Sequence, residues 1–236
     1  MCGACRLPRR AFLAGALASG SARAEEARAI EPGLRLPAGD APRVALTLDC
    51  CPGGFDARIA QALVELGVTA TMFVTGLWLA RNREGVAFLR AHPEIFAIEN
   101  HGARHVPPVL GDTPIFGIRP AGDLASIRRE VEGGGQAILA AAGVRTGWYR
   151  AATGFYSPAA IAPIEALGYR IAGYSMNGDL GASLPADKVA ARIAAARDGD
   201  VIVAHANQPL RASGAGVVEG VRRLRARGMA FVRLPA

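Results

Sequence analysis

The sequence has 236 residues, of which 51% are hydrophobic and 20% are charged, a composition typical of globular proteins that excludes a disordered chain. Four of its seven net positive charges come from arginines in the first 24 residues, which contain no acid, so residues 25–236 carry only +3. We therefore expect no nucleic-acid partner.

Residues 1–24 have the pattern of an export signal. A basic segment is followed by a short apolar run and by a small-residue cleavage site that ends at Ala24. The adjacent Arg9 and Arg10 favour the twin-arginine type, the bacterial route that exports folded proteins. Because the apolar run is too short to span a membrane, we expect a periplasmic or secreted protein without stable membrane insertion. A frayed helix that stays attached is the alternative.

Cysteine usage argues against a disulfide framework. Cys2 and Cys5 lie in the predicted signal, so Cys50 and Cys51 are the only cysteines in residues 25–236. Adjacent cysteines cannot link distant parts of a fold, and a disulfide between them would be strained.

A single α/β domain is predicted over residues 43–236. Residues 25–42 lack periodicity and contain three prolines, which is typical of a linker. Short apolar runs then alternate with segments of helical periodicity. The predicted strands are 43–49, 69–74, 95–99, 145–150, 169–175, 200–205 and 229–234. The predicted helices are 56–66, 77–90, 123–142, 158–167, 186–197 and 215–227. This alternation indicates a parallel sheet covered by helices, either an open doubly wound sheet or a closed barrel.

Polar residues follow the predicted strands at the positions where the strands end. These residues are Asp49, Asn100, His101, Arg150, Asp179 and His205. Because the carboxyl ends of parallel strands meet on one face of the sheet, we expect a site there.

Two local patterns point to metal-assisted hydrolysis. His101 and His105 are four residues apart, a spacing that lets both imidazoles reach one metal ion, although two surface histidines would show the same spacing. Asp49 ends an apolar strand, and a carboxylate in that position requires a hydrogen bond, an ion pair or a metal.

The sequence resembles the polysaccharide deacetylases, the NodB-homology proteins of carbohydrate esterase family four. The matching segments are TLDCCP at 47–52, ATMFVTG at 70–76, NHGARH at 100–105, RAATGFY at 150–156, NGDL at 177–180 and VAH at 203–205. The resemblance implies a single distorted (β/α) barrel of seven or eight parallel strands, related to the TIM barrel.

The resemblance also implies roles for four acid–base residues. Asp49 corresponds to the family's catalytic base, and Arg150 to the arginine that orients this base. His205 corresponds to the general acid that protonates the leaving amine, and Asp179 to the residue that tunes this acid. A carboxylate base and an imidazolium acid suit the hydrolysis of an amide.

The metal site departs from the family pattern. His101 and His105 correspond to the family's metal-binding histidines, but Cys50 stands where the family has its metal-binding Asp. Three alternatives are open. Cys50 ligates as a thiolate, which favours zinc, with cobalt and nickel as further candidates. Asp49 moves onto the metal, or the site binds no metal tightly.

The third motif also departs, because it lacks the usual Pro and is longer before its aromatic residue. We predict that Phe155 and Tyr156 stack on a sugar ring of the substrate.

The sequence as a whole predicts an exported, metal-dependent hydrolase that removes N-acetyl groups from a glycan or a related amide. The alternatives are a hydrolase of another linear amide and a catalytically impaired domain that binds glycan without cleaving it.

Overall fold

The computed structural model describes residues 28–235. The predicted export signal, with Cys2 and Cys5, lies outside the described residues. The strands are β1 (Arg43–Cys50), β2 (Ala70–Val74), β3 (Phe96–Asn100), β4 (Trp148–Tyr149), β5 (Arg170–Ile171), β6 (Met176–Asn177), β7 (Val201–His205) and β8 (Ala230–Phe231). The helices are α1 (Ala57–Leu66), α2 (Gly76–Arg81), α3 (Arg83–Ala91), α4 (Leu124–Ala142), α5 (Pro158–Ala166), α6 (Ala186–Ala194) and α7 (Ser213–Ala226).

The strands form one parallel sheet in the order β5-β4-β3-β2-β1-β7-β6, with β8 paired to the start of β1. β5 and β6 are consecutive in the chain yet lie at opposite ends of this order. The short segment between them contacts both edges, because the N–H of Ala172 donates to Tyr149 O and the N–H of Ser175 donates to Val201 O. The sheet therefore curls into a distorted (β/α) barrel, and the predicted fold class is confirmed.

Two predicted elements are interrupted in the structure, each for a local reason. The helix predicted over 77–90 is divided at Asn82, whose side-chain amide donates to Gly53 O at 3.0 Å and to Trp78 O at 2.8 Å. The strand predicted over 169–175 ends at Ile171, shortly before Gly173. A Cβ at this position would lie 2.0 Å from Pro32 O, so only glycine allows the chain to pass there.

The residues of β1 alternate between two environments, and this alternation positions the site. Leu46, Leu48 and Cys50 are fully buried in the largest apolar cluster. Thr47 and Asp49 lie on the opposite face, where the Thr47 hydroxyl donates to Ile202 O at 2.6 Å. The opposite face is therefore the one that carries polar groups toward the carboxyl end of the sheet.

Helices α1 and α4 begin and end within one residue of their predicted bounds. The side chain of Asp56 accepts from the N–H of Arg58 at the start of α1, and Asp123 accepts from the N–H of Ser126 at the start of α4. Both helices end at a glycine in the left-handed conformation, Gly67 and Gly143.

The segment before β1 packs against the domain. Ile30 forms an antiparallel bridge with Tyr156, and Arg35 forms one with Asp200. The Arg35 guanidinium also pairs with the Asp200 carboxylate at 2.6 Å. Residues 28–42, most of the predicted linker, are thus held along the barrel. In the described part of the chain, no helix combines the length and apolar character needed to cross a membrane.

Candidate active site

A cleft of about 460 Å³ opens at the carboxyl ends of the central strands. The side chains in it that carry acid–base or ligand chemistry are Asp49, Cys51, His101, His105, Arg150 and His205. The fold thus brings together residues from β1, β7 and the ends of β3 and β4, as expected for a parallel sheet.

The thiol of Cys51 and the imidazoles of His101 and His105 form one cluster. One potential ligand atom from each residue lies within 4.8 Å of the others. Cys51 Sγ is 3.5 Å from His101 Nε2, and the two imidazole centroids are 5.0 Å apart. His101 Nδ1 donates to Arg150 O at 2.9 Å, which leaves Nε2 directed at the cluster. One sulfur and two imidazole nitrogens fit a divalent ion of borderline softness such as zinc.

The neighbouring imidazoles favour the ionised form of the Cys51 thiol. Burial raises its pKa, whereas the charge and hydrogen bond of His101 lower it, and the net shift is well downward. Hydrogen bonds with His105 and His205 act in the same direction. A thiolate is the form of cysteine that binds metal ions.

Asp49 is a buried carboxylate paired with a buried guanidinium. Arg150 donates to Asp49 Oδ1 at 2.9 Å and to the Thr47 hydroxyl at 2.7 Å. The same guanidinium donates to the carbonyl oxygens of Ala172 and Gly173. Burial raises the pKa of Asp49, whereas Arg150 and the nearby imidazoles together lower it by more, so the net shift is downward. Asp49 is therefore ionised and fixed in orientation, as a general base requires.

His205 is held by a buried carboxylate. Its Nδ1 lies 2.9 Å from Asp179 Oδ1, and its backbone N–H donates to Asp179 Oδ2 at 2.7 Å. Burial lowers the pKa of His205, but the hydrogen bond to Asp179 raises it, and the net shift is well upward. The upward shift favours the protonated imidazole, the state in which it can donate a proton.

The loop that carries His101 and His105 is held by two polar side chains. Glu130 Oε1 accepts from the N–H of Arg104 at 2.8 Å and of Val106 at 3.1 Å. Asn100 accepts from the N–H of Gly102 at 2.8 Å. Glu130 was not predicted from the sequence. The signal that indicates it is an acid placed between apolar residues on the buried face of α4.

The structure corrects the proposed ligand role of Cys50. Its side chain is fully buried in the apolar core, on the opposite face of β1 from Asp49, and burial raises its pKa well above the ordinary value. Cys51, which was not predicted as a ligand, occupies the cluster instead. Both thiols are free in the structure.

The structure also corrects the predicted sugar contacts of Tyr156 and Phe155. Tyr156 is buried, and its hydroxyl accepts from the N–H of Ala151 at 2.8 Å and donates to Tyr149 O at 3.2 Å. Phe155 packs edge-on against Phe116, and Phe116 lines the cleft whereas Phe155 does not.

A family model described as polysaccharide deacetylase matches residues 37–172. The chain belongs to the polysaccharide deacetylase family, as its motifs predicted, and it is a hydrolase that acts on amide bonds. A comparison with curated proteins gives no match.

Solved structures of similar fold include a family 4 carbohydrate esterase from Streptomyces lividans in complex with acetate. It is 20% identical, with a TM-score of 0.66, over 82% of this chain and 93% of that chain. A peptidoglycan N-acetylglucosamine deacetylase is 21% identical, with a TM-score of 0.70, over 86% of this chain and 90% of that chain. A pseudoenzyme of the same esterase family from Bacillus anthracis is 18% identical, with a TM-score of 0.68, over 85% of this chain and 66% of that chain.

Proposed function

We propose that the protein is an exported, metal-dependent hydrolase that removes N-acetyl groups from carbohydrate. The observation that carries the proposal is the cluster of Cys51, His101 and His105 in one cleft with the Asp49 carboxylate. Membership of the deacetylase family supports the reaction class.

The metal ligands in this proposal are Cys51 Sγ and one ring nitrogen each from His101 and His105. This donor set favours zinc, with cobalt and nickel as alternatives. When bound, a divalent ion there would supply Lewis acidity to the amide carbonyl and to the attacking water.

The chain's own residues perform the proton transfers. Asp49 takes a proton from the attacking water, and Arg150 holds the carboxylate in place through its 2.9 Å contact. His205 gives a proton to the amide nitrogen, which must be protonated before it leaves. Asp179 fixes the ring of His205 and stabilises its charged form.

Metal content tests the ligand assignment, and the two adjacent cysteines provide a matched pair. The purified protein and Cys50→Ala should each contain about one divalent ion per chain, because Cys50 lies in the apolar core. Cys51→Ala and the double variant His101→Ala, His105→Ala should contain none. After loading with cobalt, the sulfur-to-cobalt absorption band should be present in Cys50→Ala and absent in Cys51→Ala. Full metal content in Cys51→Ala would contradict the assignment, and loss of metal from Asp49→Asn would then favour Asp49 as a ligand.

Acetate release from N-acetylglucosamine oligomers tests the reaction. Asp49→Asn should abolish acetate release and leave the circular dichroism spectrum unchanged, whereas Asp112→Asn, an exposed aspartate outside the cleft, should retain it. Unchanged release from Asp49→Asn would contradict the role of Asp49 as base. Binding of the oligomers by a metal-loaded protein that releases no acetate would favour the impaired, glycan-binding alternative.

Export rests on the sequence of residues 1–24. With Arg9 and Arg10 both replaced by Lys, the precursor should remain in the cytoplasm, because the twin-arginine route requires both arginines. Cell fractionation measures this outcome, and normal export of the variant would contradict the twin-arginine assignment.

A further inference from the structure

The segment before β1 places a carboxylate in the cleft. Glu31 lines the cleft, yet it comes from the segment predicted as a linker rather than from the barrel. Two backbone hydrogen bonds between Ile30 and Tyr156, of 2.8 and 2.9 Å, fix the chain immediately before it. The backbone of Pro32 fixes the chain immediately after it, against Gly173.

The side chain of Glu31 is exposed, and one of its carboxylate oxygens is hydrogen-bonded. The hydroxyl of Tyr174 donates to Glu31 Oε1, and the Tyr174 ring lies 5.9 Å from the guanidinium carbon of Arg150. Tyr174 thus stands between the Glu31 carboxylate and the arginine that holds the catalytic carboxylate. Glu31 therefore lines the same cleft as Asp49 and is separated from Arg150 by the side chain of Tyr174.

The charge of Glu31 is not neutralised by a cationic side chain. Among the described residues, no ion pair joins Glu31 to an Arg, Lys or His. Of the arginines that the structure describes, Arg150 is the one that lines the cleft. Its guanidinium donates to Thr47, to Asp49 and to two carbonyl oxygens. A carboxylate in this situation favours a ligand that brings its own positive charge.

We propose that Glu31 is a specificity-determining residue that binds a protonated amine on the sugar next to the one being deacetylated. The inference rests on the proposed function and narrows the substrate class to partly deacetylated glycans. An ammonium group neutralises the charge of the Glu31 carboxylate and donates a hydrogen bond to the carboxylate oxygen that Tyr174 does not contact. Anionic glycans are disfavoured by the same carboxylate.

Binding of two oligomers to the full protein tests this proposal without turnover. Calorimetry with glucosamine oligomers, at a pH where the amines are protonated, should give a Kd about threefold to fivefold higher for Glu31→Gln than for the unaltered protein. Glutamine keeps an oxygen that accepts from Tyr174, so the variant removes the charge alone. In an Asp49→Asn background, which prevents turnover, Glu31→Gln should change the Kd for N-acetylglucosamine oligomers by less than about twofold. The effect on glucosamine oligomers should shrink as ionic strength rises.

Asp40→Asn is the matched control, since Asp40 is an exposed acid of the same segment outside the cleft, and it should change neither Kd. An equal rise in Kd for both oligomers would overturn the proposal in favour of hydroxyl recognition, and no rise for either would also overturn it. Failure of the unaltered protein to release acetate from any N-acetylated glycan would instead refute the proposed function. Because calorimetry measures binding without turnover, failure of the Glu31 proposal and failure of the proposed function can be distinguished.

Discussion

The guanidinium of Arg150 and the carboxylate of Asp49 meet at 2.9 Å across 101 positions of sequence, and both groups are buried. Arg150 is one of the largest fully buried side chains. Its guanidinium carbon lies 4.2 Å from the centroid of the Phe73 ring. The pair therefore joins the end of β1 to the end of β4 and fixes the orientation of the Asp49 carboxylate.

Replacement of Arg150 by Met should lower the free energy of unfolding by about 3–5 kcal/mol, because it leaves the Asp49 carboxylate buried without its partner. Urea denaturation measures the change. Arg128→Met is the control, since Arg128 pairs with Glu132 at 2.9 Å on the exposed face of α4 and should cost under about 0.5 kcal/mol. Equal losses in the two variants would contradict a dominant role for the buried pair.

Asp179→Asn should lower kcat by about 10² to 10⁴, because the His205 ring loses the carboxylate that orients and charges it. Steady-state acetate release measures kcat, and circular dichroism checks that the fold is retained. Asp187→Asn, which removes an exposed acid from α6, should leave kcat unchanged. Full activity in Asp179→Asn would contradict the role of the Asp179 carboxylate in orienting and charging His205.

Tyr156→Phe should lower the free energy of unfolding by about 1–3 kcal/mol and leave KM unchanged. The hydroxyl is the acceptor for the buried N–H of Ala151, and the variant leaves this donor unpaired. Thermal or urea unfolding and oligomer kinetics measure the two quantities. A raised KM with unaltered stability would contradict this account and indicate that the hydroxyl contacts the substrate.

Gly134→Ala should destabilise the protein, although alanine favours a helix interior over glycine by about 1 kcal/mol. A Cβ at Gly134 would lie 2.2 Å from Asn100 Oδ1 and 2.7 Å from the backbone carbon of Gly102, so it would displace the loop that carries His101. Metal content should fall together with stability. Gly133→Ala, whose Cβ would meet only Ala103 at 3.1 Å, should cost less, and the reverse ranking would contradict this account.

Glu99→Gln should stabilise the protein relative to the unaltered chain by an amount that grows as pH rises above 4.5, the ordinary pKa of a glutamate. Burial raises the pKa of Glu99 above this ordinary value, and the N–H groups of Trp148 and Gly147 only partly offset burial. The folded state therefore binds the Glu99 proton more tightly than the unfolded state does. Protonated Glu99 contributes its full stabilisation of the fold below the unfolded pKa, and this contribution is lost as pH rises through the folded pKa. Glutamine stays neutral and keeps an acceptor for both N–H groups.

Urea denaturation at several pH values measures this difference. Glu65→Gln, on the exposed side of α1, serves as the control for the loss of one acidic charge. Parallel stability curves for Glu99→Gln and the unaltered protein would refute the prediction.

Local patterns in the sequence predicted much of the fold and part of the site. The apolar run of β1, the bounds of the helices predicted over 56–66 and 123–142 and the four-residue spacing of His101 and His105 depend on neighbours in the chain, and each can be predicted without the fold. The parallel order of the strands follows from their alternation with helices.

The remainder of the site depends on tertiary contacts. Cys51 is an exception, because it continues the alternation of Thr47 and Asp49 on the cleft face of β1, whereas matching the family motif residue by residue offers Cys50 as one candidate ligand. Tyr156 was expected in the cleft because aromatic residues often contact sugars, but its hydroxyl instead satisfies the loop that contains it. Glu31 was missed because its position depends on bridges to residues more than 100 positions away.

The pairing of β1 with β7 and β8 has a consequence for the order in which the molecule is completed. The first strand of the barrel leaves the ribosome early, but two of its partners belong to the last part of the chain. Arg35 must likewise wait for Asp200 before its segment can dock. We therefore expect β1 to complete its pairing only after the last strands have been synthesised, and nascent chains that end before Val201 to expose β1 to chaperones and proteases.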